Sequence, residues 1–152
     1  MDKLTAIFDG LDLSKLVPQM EGLLNTIQLL ASIAILIGPV VMVVMGVRYL
    51  FLPPKEANHR AGFRTYFGMG SVEAWLLTQK IAGIAIGAAG LALGIVMLII
   101  CKGYGSKDIM EVVLSAIECL LWEAGVALAV YFGISVTAAI LFDAKGERRR
   151  KK

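Results

Sequence analysis

The sequence contains few charged residues for a chain of its size. Only 18% of its 152 residues are Asp, Glu, Lys or Arg, whereas a soluble domain carries about 25%. Hydrophobic residues make up 58% of the chain, and the mean hydropathy is +0.77. So low a charged fraction excludes a domain whose whole surface meets water, and it indicates an integral membrane protein.

Cysteine and histidine are also scarce. The chain has two cysteines and one histidine, without a CxxC pair or another metal-ligand spacing. No nucleophile–base pair or phosphate-binding loop is visible. The sequence therefore predicts that the protein is not an enzyme and has no catalytic residue, cofactor or metal site. We interpret Cys101 and Cys119 as apolar helix residues, with a disulfide as the alternative, and His59 as an exposed loop residue.

Three apolar runs are each long enough to cross a hydrocarbon core about 30 Å thick. They cover residues 24–52, 72–101 and 109–142. We predict an all-α integral membrane protein with three transmembrane helices and an N-terminal amphipathic helix. Its parts would be an amphipathic interfacial segment at 1–24, a three-span membrane domain at 25–142 and a basic cytoplasmic tail at 143–152. Whether the long third run is one helix stays open, as does packing of the first segment on the protein's own surface.

Prolines and glycines interrupt the first two of these segments. Gly10 and Pro18 argue against one unbroken helix at the start, and Pro39 should kink or loosen the first span. Four glycines in the second span recur at intervals of four, three and four, so they share one helix face: Gly83, Gly87, Gly90 and Gly94. Such a face lets another helix approach closely.

The third apolar run contains two carboxylates, Glu118 and Glu123. A carboxylate in lipid is costly, so both should face other helices or water. They are candidate residues for a proton- or cation-coupled path in an oligomer.

The distribution of basic residues predicts the topology. Eleven of the 15 fall on the side of the central loop and the C-terminus, and six of these lie in residues 145–152. The positive-inside rule then favours an outside N-terminus and an inside C-terminus in a bacterial cytoplasmic membrane. It also favours membrane lipids rather than nucleic acid as the partner of this charge.

The polar loop at residues 53–83 interrupts the apolar runs and carries the most specific pattern. Asn58 precedes Gly62-Phe63-Arg64-Thr65, and Ser71, Glu73 and Trp75 then open the second span. This combination resembles the SdpI/YhfL family of small bacterial membrane proteins over about 30 residues. The resemblance implies immunity against a secreted peptide toxin and signalling through a cytoplasmic regulator, and it implies no catalytic residue. The chain is shorter than the family's namesake, with one motif block and three spans.

The candidate binding residues come from this loop and the third span: Asn58, Gly62, Phe63, Arg64, Thr65, Glu73, Trp75, Glu118 and Glu123. Arg64 suits a carboxylate or a lipid phosphate, and a clamp between Arg64 and Glu73 is the structural alternative. Trp75 is interpreted as an anchor at headgroup depth, and Asn58 as a turn cap.

Two functions follow from these residues. The first is an SdpI-like membrane protein that forms a homo-oligomer and binds, neutralises or senses a membrane-active peptide. The second is a small oligomeric transporter or channel that uses Glu118 and Glu123. A lipid-headgroup enzyme built on Arg64, His59 and Glu73 is the least supported class.

Overall fold

The computed structural model describes residues 13–55 and 62–149, with side chains from residue 20 onward in the first helix. Three long helices carry the fold: α1 (Leu13–Phe51), α2 (Val72–Lys102) and α3 (Ile109–Leu141). Short 3-10 turns, Phe67–Met69 and Tyr104–Ser106, precede and follow α2. Three segments of 32 to 35 residues, one built on each long helix, are apolar enough to span a membrane: Met20–Phe51, Val72–Ser106 and Ile109–Leu141. The predicted all-α, three-span fold is confirmed.

The helix ends coincide with the local signals in the sequence. α1 ends just before Pro53 and Pro54, since proline cannot donate a backbone hydrogen bond. Ser71 Oγ caps α2 by accepting from the Ala74 N–H (3.1 Å), and Asp108 caps α3 by accepting from the Glu111 N–H (2.8 Å). The predicted Ser71 cap is confirmed, and α3 is a single helix of 33 residues.

α1 is continuous from Leu13 to Phe51, through both Pro18 and Pro39. The expectation that Pro18 breaks a helix is therefore wrong over this range. Residues 13–24 of the predicted amphipathic segment belong to the same helix as the first span, while residues 1–12 lie outside the described part of the chain. At Pro39 the missing N–H leaves the Ile35 carbonyl without its intrahelical donor.

The glycine face of α2 packs along α1. A Cβ on Gly46 of α1 would lie 2.5 Å from the Gly87 Cα, and one on Gly83 would lie 2.9 Å from the Gly46 carbonyl oxygen. A Cβ on Gly90 would come within 3.0 Å of the Pro39 carbonyl oxygen. Such separations admit no side chain, so these glycines set the distance between the two helices. The predicted packing role is confirmed.

α3 packs across both other helices and forms two buried apolar clusters. One lies toward the 102–108 connection and includes Ile35, Met97 and Val112; the other lies toward the central loop around Tyr49 and Ile134. Cys101 and Cys119 are both free thiols, so the disulfide alternative does not hold.

Candidate functional site

The central loop folds back onto the start of α2 and is fixed there by one side-chain amide. Gln79, whose side chain is fully buried, accepts a hydrogen bond from the Phe63 N–H (2.8 Å). Its Nε2 donates to the Phe63 carbonyl oxygen (2.7 Å). Both backbone groups of Phe63 are thus satisfied by a single residue, in the way that a neighbouring strand would satisfy them. This pair sets the position of the residues on either side of Phe63.

Trp75 forms the second attachment of the loop. Its ring is 0% exposed, and its indole N–H donates to the Pro54 carbonyl oxygen (2.7 Å). Gly62 lies against the ring with φ +101°, and a Cβ there would approach the ring to 2.5 Å. Only glycine combines this backbone angle with such contact. The expectation of a headgroup anchor is wrong for Trp75, because protein rather than lipid covers the ring.

A third attachment involves the hydroxyl of Thr65. Thr65 Oγ1 accepts from the Gly68 N–H (3.0 Å) and so begins the short 3-10 turn that leads into α2. Gly68 has no room for a side chain, since a Cβ would lie 2.5 Å from Thr65 Oγ1 and 2.6 Å from Thr78 Oγ1. The buried Thr78 hydroxyl has no hydrogen-bond partner among the described residues.

The segment after α3 covers this loop. Phe142 and Arg148 form an antiparallel bridge around a turn in which Gly146 has φ +75°. Ser71 Oγ donates to the Gly146 carbonyl oxygen (2.8 Å). The Glu73 carboxylate forms an ion pair with Arg148 Nε (3.2 Å), with both side chains more than 60% exposed. The start of the predicted tail is therefore folded against the loop.

Arg64 lies at the edge of a cleft between the loop and α3. The cleft has a volume of about 380 Å³, and Tyr66, Phe67, Tyr131 and Ser135 are among its lining residues. The Phe63 and Tyr131 rings, whose centroids are 5.4 Å apart, join the loop to α3 beside it. A guanidinium, two phenols, a hydroxyl and an apolar ring in one cleft suit an anionic group attached to an apolar body.

Glu123 occupies a separate place in the middle of the bundle. It is 8% exposed, and its Oε1 has no hydrogen-bond partner in the described part of the chain. Its carboxylate lies against Gly38 of α1, where a Cβ would overlap with Oε2, one residue before Pro39. The expectation that Glu123 faces another helix is confirmed.

Glu118 does not share this site. Its side chain is exposed on the outer surface of α3, beside Leu121, Trp122 and Gly125. The expectation was that Glu118 faces another helix or water, and no helix of the described chain covers it. Five residues along an α-helix turn the side chain by about 140°, so burial of Glu123 directs Glu118 outward.

The predicted site residues thus fall into three groups. Gly62, Phe63, Arg64, Thr65 and Trp75 come together in the loop, with Glu73 on its exposed margin. Glu123 and Glu118 lie apart from them and from each other, and Asn58 lies outside the described residues.

The sequence-based assignment missed two residues. Gln79 is the central bond partner of the loop, and Tyr131 joins the loop to α3. Gln79 had one available signal, since it follows Trp75 by four residues and therefore shares its helix face. Tyr131 had no such signal, because its partner Phe63 lies 68 residues earlier in the chain.

No family model, curated protein or solved structure matches this chain.

Proposed function

We propose that the protein is an SdpI-like membrane protein that binds and neutralises, or senses, a membrane-active peptide. One observation carries this proposal: the described residues of the loop pattern, from Gly62 to Trp75, pack together beside the Arg64 cleft. Gln79 and Trp75 hold the backbone at Phe63 and Pro54 through three hydrogen bonds. Since a site whose backbone is already ordered loses little entropy on binding, this arrangement favours recognition.

The composition of the cleft indicates the chemistry of the ligand. Arg64 offers a planar, permanently charged group for a carboxylate, while Phe67 and Phe132 offer apolar contact at the same cleft. A peptide with an acidic side chain or a free C-terminus next to hydrophobic residues fits both. The charge bias favours a loop on the cytoplasmic side of a bacterial cytoplasmic membrane. The proposed ligand is therefore a peptide already inserted in the membrane, and a cytoplasmic regulator would meet the same surface in signalling.

Protection of a sensitive bacterial host tests the proposal. Cells that express the wild type are challenged with a panel of membrane-active peptides, beside cells that express Arg64→Ala. We expect wild-type protection against at least one peptide, and a loss of roughly tenfold or more in tolerated concentration for Arg64→Ala, since a charge-assisted hydrogen bond contributes about 1.5–3 kcal/mol.

Lys80→Ala is the matched control, because Lys80 is an exposed cation on the same side of the membrane. It should protect as well as the wild type, at equal amounts of protein in the membrane. Equal killing with and without the wild-type protein across the panel would overturn the proposal, as would full protection by Arg64→Ala.

The environment of Glu123 favours a second candidate function, a small oligomeric transporter or channel. A buried carboxyl whose Oε1 has no hydrogen-bond partner among the described residues, next to a glycine and a proline, is the kind of intramembrane group that proton relays use. Proteoliposome measurements of proton and cation flux test this candidate. Flux above that of empty vesicles that is abolished in Glu123→Gln would support it; absence of flux, or identical flux in Glu123→Gln, would remove it. Glu118→Gln serves as the comparison on the outer surface.

A further inference from the structure

The outer surface of α3 carries an ionisable side chain at a depth where lipid would surround it. The uncharged stretch of α2, residues 81–101, measures about 31 Å along the helix and defines the hydrocarbon-spanning part of the bundle. Gly90, near the centre of this stretch, packs on Pro39, and Glu123 packs on the neighbouring Gly38. Glu123 therefore lies close to the middle of the bilayer.

Glu118 precedes Glu123 by five residues, which is about 7–8 Å along the helix axis. This distance keeps it well inside a hydrocarbon half-thickness of about 15 Å. It is nevertheless exposed, unlike Glu123. A short carboxylate side chain at this depth is costly in lipid, so it requires a partner outside the single chain.

A regular seam of exposed residues runs along α3 from Glu118. Residues on it follow one another at alternating intervals of four and three, the repeat that brings two helices together along a left-handed crossing. We name these residues the α3 seam: Glu118, Trp122, Gly125, Ala129, Phe132 and Val136. All six are exposed, and they lie opposite the buried face that contains Cys119 and Glu123.

The glycines of this protein show how it packs helices. On α2, a Cβ at Gly83 or Gly90 would meet α1 backbone atoms at 3.0 Å or less. On α3, a Cβ at Gly125 would meet no described atom within 4 Å, although Ala129 follows at the four-residue interval typical of closely packed membrane helices. Gly125 and Ala129 thus repeat the four-residue spacing of Gly83 and Gly87, but no helix of the described chain lies against Gly125.

We propose that the α3 seam is the interface of a homodimer, with α3 packed parallel to its copy. Chains inserted in one membrane share their orientation, so a closed dimer has its two-fold axis along the membrane normal. Each residue on the axis then meets its own copy at the same depth. Gly125 and Ala129 allow the backbones to approach, and Glu118 meets Glu118 of the second copy.

The chemistry at Glu118 fits a second copy. The span from 109 to 141 contains no Lys, Arg or His, so a cation on α3 of the second copy is not available. Two protonated carboxyl groups can instead pair through two hydrogen bonds, each donating its O–H to the carbonyl oxygen of the other, so that the pair carries no charge. Neither group then faces lipid as an isolated anion.

Disulfide cross-linking in native membranes tests the interface without any added ligand. In a Cys101→Ala, Cys119→Ala background, single cysteines are introduced as Gly125→Cys and Ala129→Cys on the α3 seam. Leu128→Cys on the flank of α3 and Leu91→Cys on α2 are the controls, since both leucines are about 60% exposed. We expect oxidised dimers from the two seam positions and only background from the controls.

A second measurement uses the open space at Gly125. Gly125→Ile fits the single chain, since nothing lies within 4 Å, and Gly22→Ile is its matched control on α1 for the same reason. In detergent, Gly125→Ile should weaken dimerisation at least tenfold, and Gly22→Ile should leave it unchanged. Glu118→Leu should weaken it roughly threefold to tenfold, whereas Glu118→Gln retains a hydrogen-bonding group and changes it less.

Cross-linking that is equal at all four positions, or absent at both seam positions, would overturn the proposal. So would a dimer that tolerates Gly125→Ile. Neither result depends on peptide protection, so this interface and the proposed function fail or hold separately.

Discussion

The loop-side end of the bundle and its middle both bury polar side chains, but the hydrogen bonding of these side chains differs. At the loop, Gln79 and Trp75 are completely buried, and their polar side-chain atoms bond to backbone groups at 2.7–2.8 Å. In the middle, Glu123 is 8% exposed, and its Oε1 has no hydrogen-bond partner among the described residues.

A buried polar group with its partners holds a shape, while one without them costs free energy. The buried polar residues of the loop therefore stabilise its structure. The stability of the fold does not explain why Glu123 is present at this position. Three predictions test this difference, in order of decreasing effect.

The largest effect is expected for Trp75→Ala. It removes a fully buried ring and the bond to Pro54, so we expect a loss of about 3–5 kcal/mol in the free energy of unfolding. Denaturant unfolding in detergent, followed by circular dichroism, measures this change.

Trp122→Ala is the matched control, since that ring is 72% exposed on the single chain. At dilutions where the chain is monomeric, it should change the free energy of unfolding by less than about 1 kcal/mol. Equal effects of the two substitutions would contradict the burial of Trp75.

An opposite pair of effects is expected from Gln79→Leu and Glu123→Leu, which replace buried polar side chains by an apolar one of similar size. Gln79→Leu leaves the N–H and carbonyl of Phe63 without partners, so it should destabilise by about 2–4 kcal/mol. Glu123→Leu removes a carboxyl whose Oε1 has no hydrogen-bond partner among the described residues, so it should be neutral or stabilise by about 1 kcal/mol. Unfolding in detergent gives both values.

Hydrogen exchange at single amides measures the local effects of the same two substitutions. Gln79→Leu should increase exchange at the Phe63 amide, and Glu123→Leu should leave that amide unchanged. A destabilised Glu123→Leu protein with unchanged loop exchange would mean that the carboxyl has a partner, and the contrast between the two regions would be lost.

The smallest effect is expected for Glu73→Ala. Its ion pair with Arg148 is exposed on both sides, and pairs of this kind contribute about 0–1 kcal/mol. Stability should change little, and Arg148→Ala should match it. A double-mutant cycle measures the pair directly; a coupling well above 1 kcal/mol would show that the tail is attached to the loop mainly by charge rather than by the Ser71–Gly146 hydrogen bond.

The helix ends on either side of the loop could be predicted from its residues, but the contacts that hold the loop in place could not. Pro53, Pro54 and Ser71 mark helix ends through backbone chemistry that acts locally, so their positions follow from the chain itself. Trp75 was placed at the correct end of α2 but in the wrong surroundings, since nothing local reveals that Pro54 supplies its acceptor. The role of Gln79 could not be predicted, because its hydrogen-bond partner is the backbone of a residue 16 positions earlier.

The sequence by itself determined the three spans, the helix ends at Pro53 and Ser71, and the glycine face of α2. Lipid offers no hydrogen bonds to the backbone, so long apolar runs must be helices, and proline and capping residues end them. Only the tertiary structure decided which glutamate is buried and which is exposed. Both lie on one helix about 140° apart, and the packing of Gly38 on Glu123 turns that face inward. The same packing leaves Glu118 on the surface, and tertiary contacts likewise fix the loop beside Arg64.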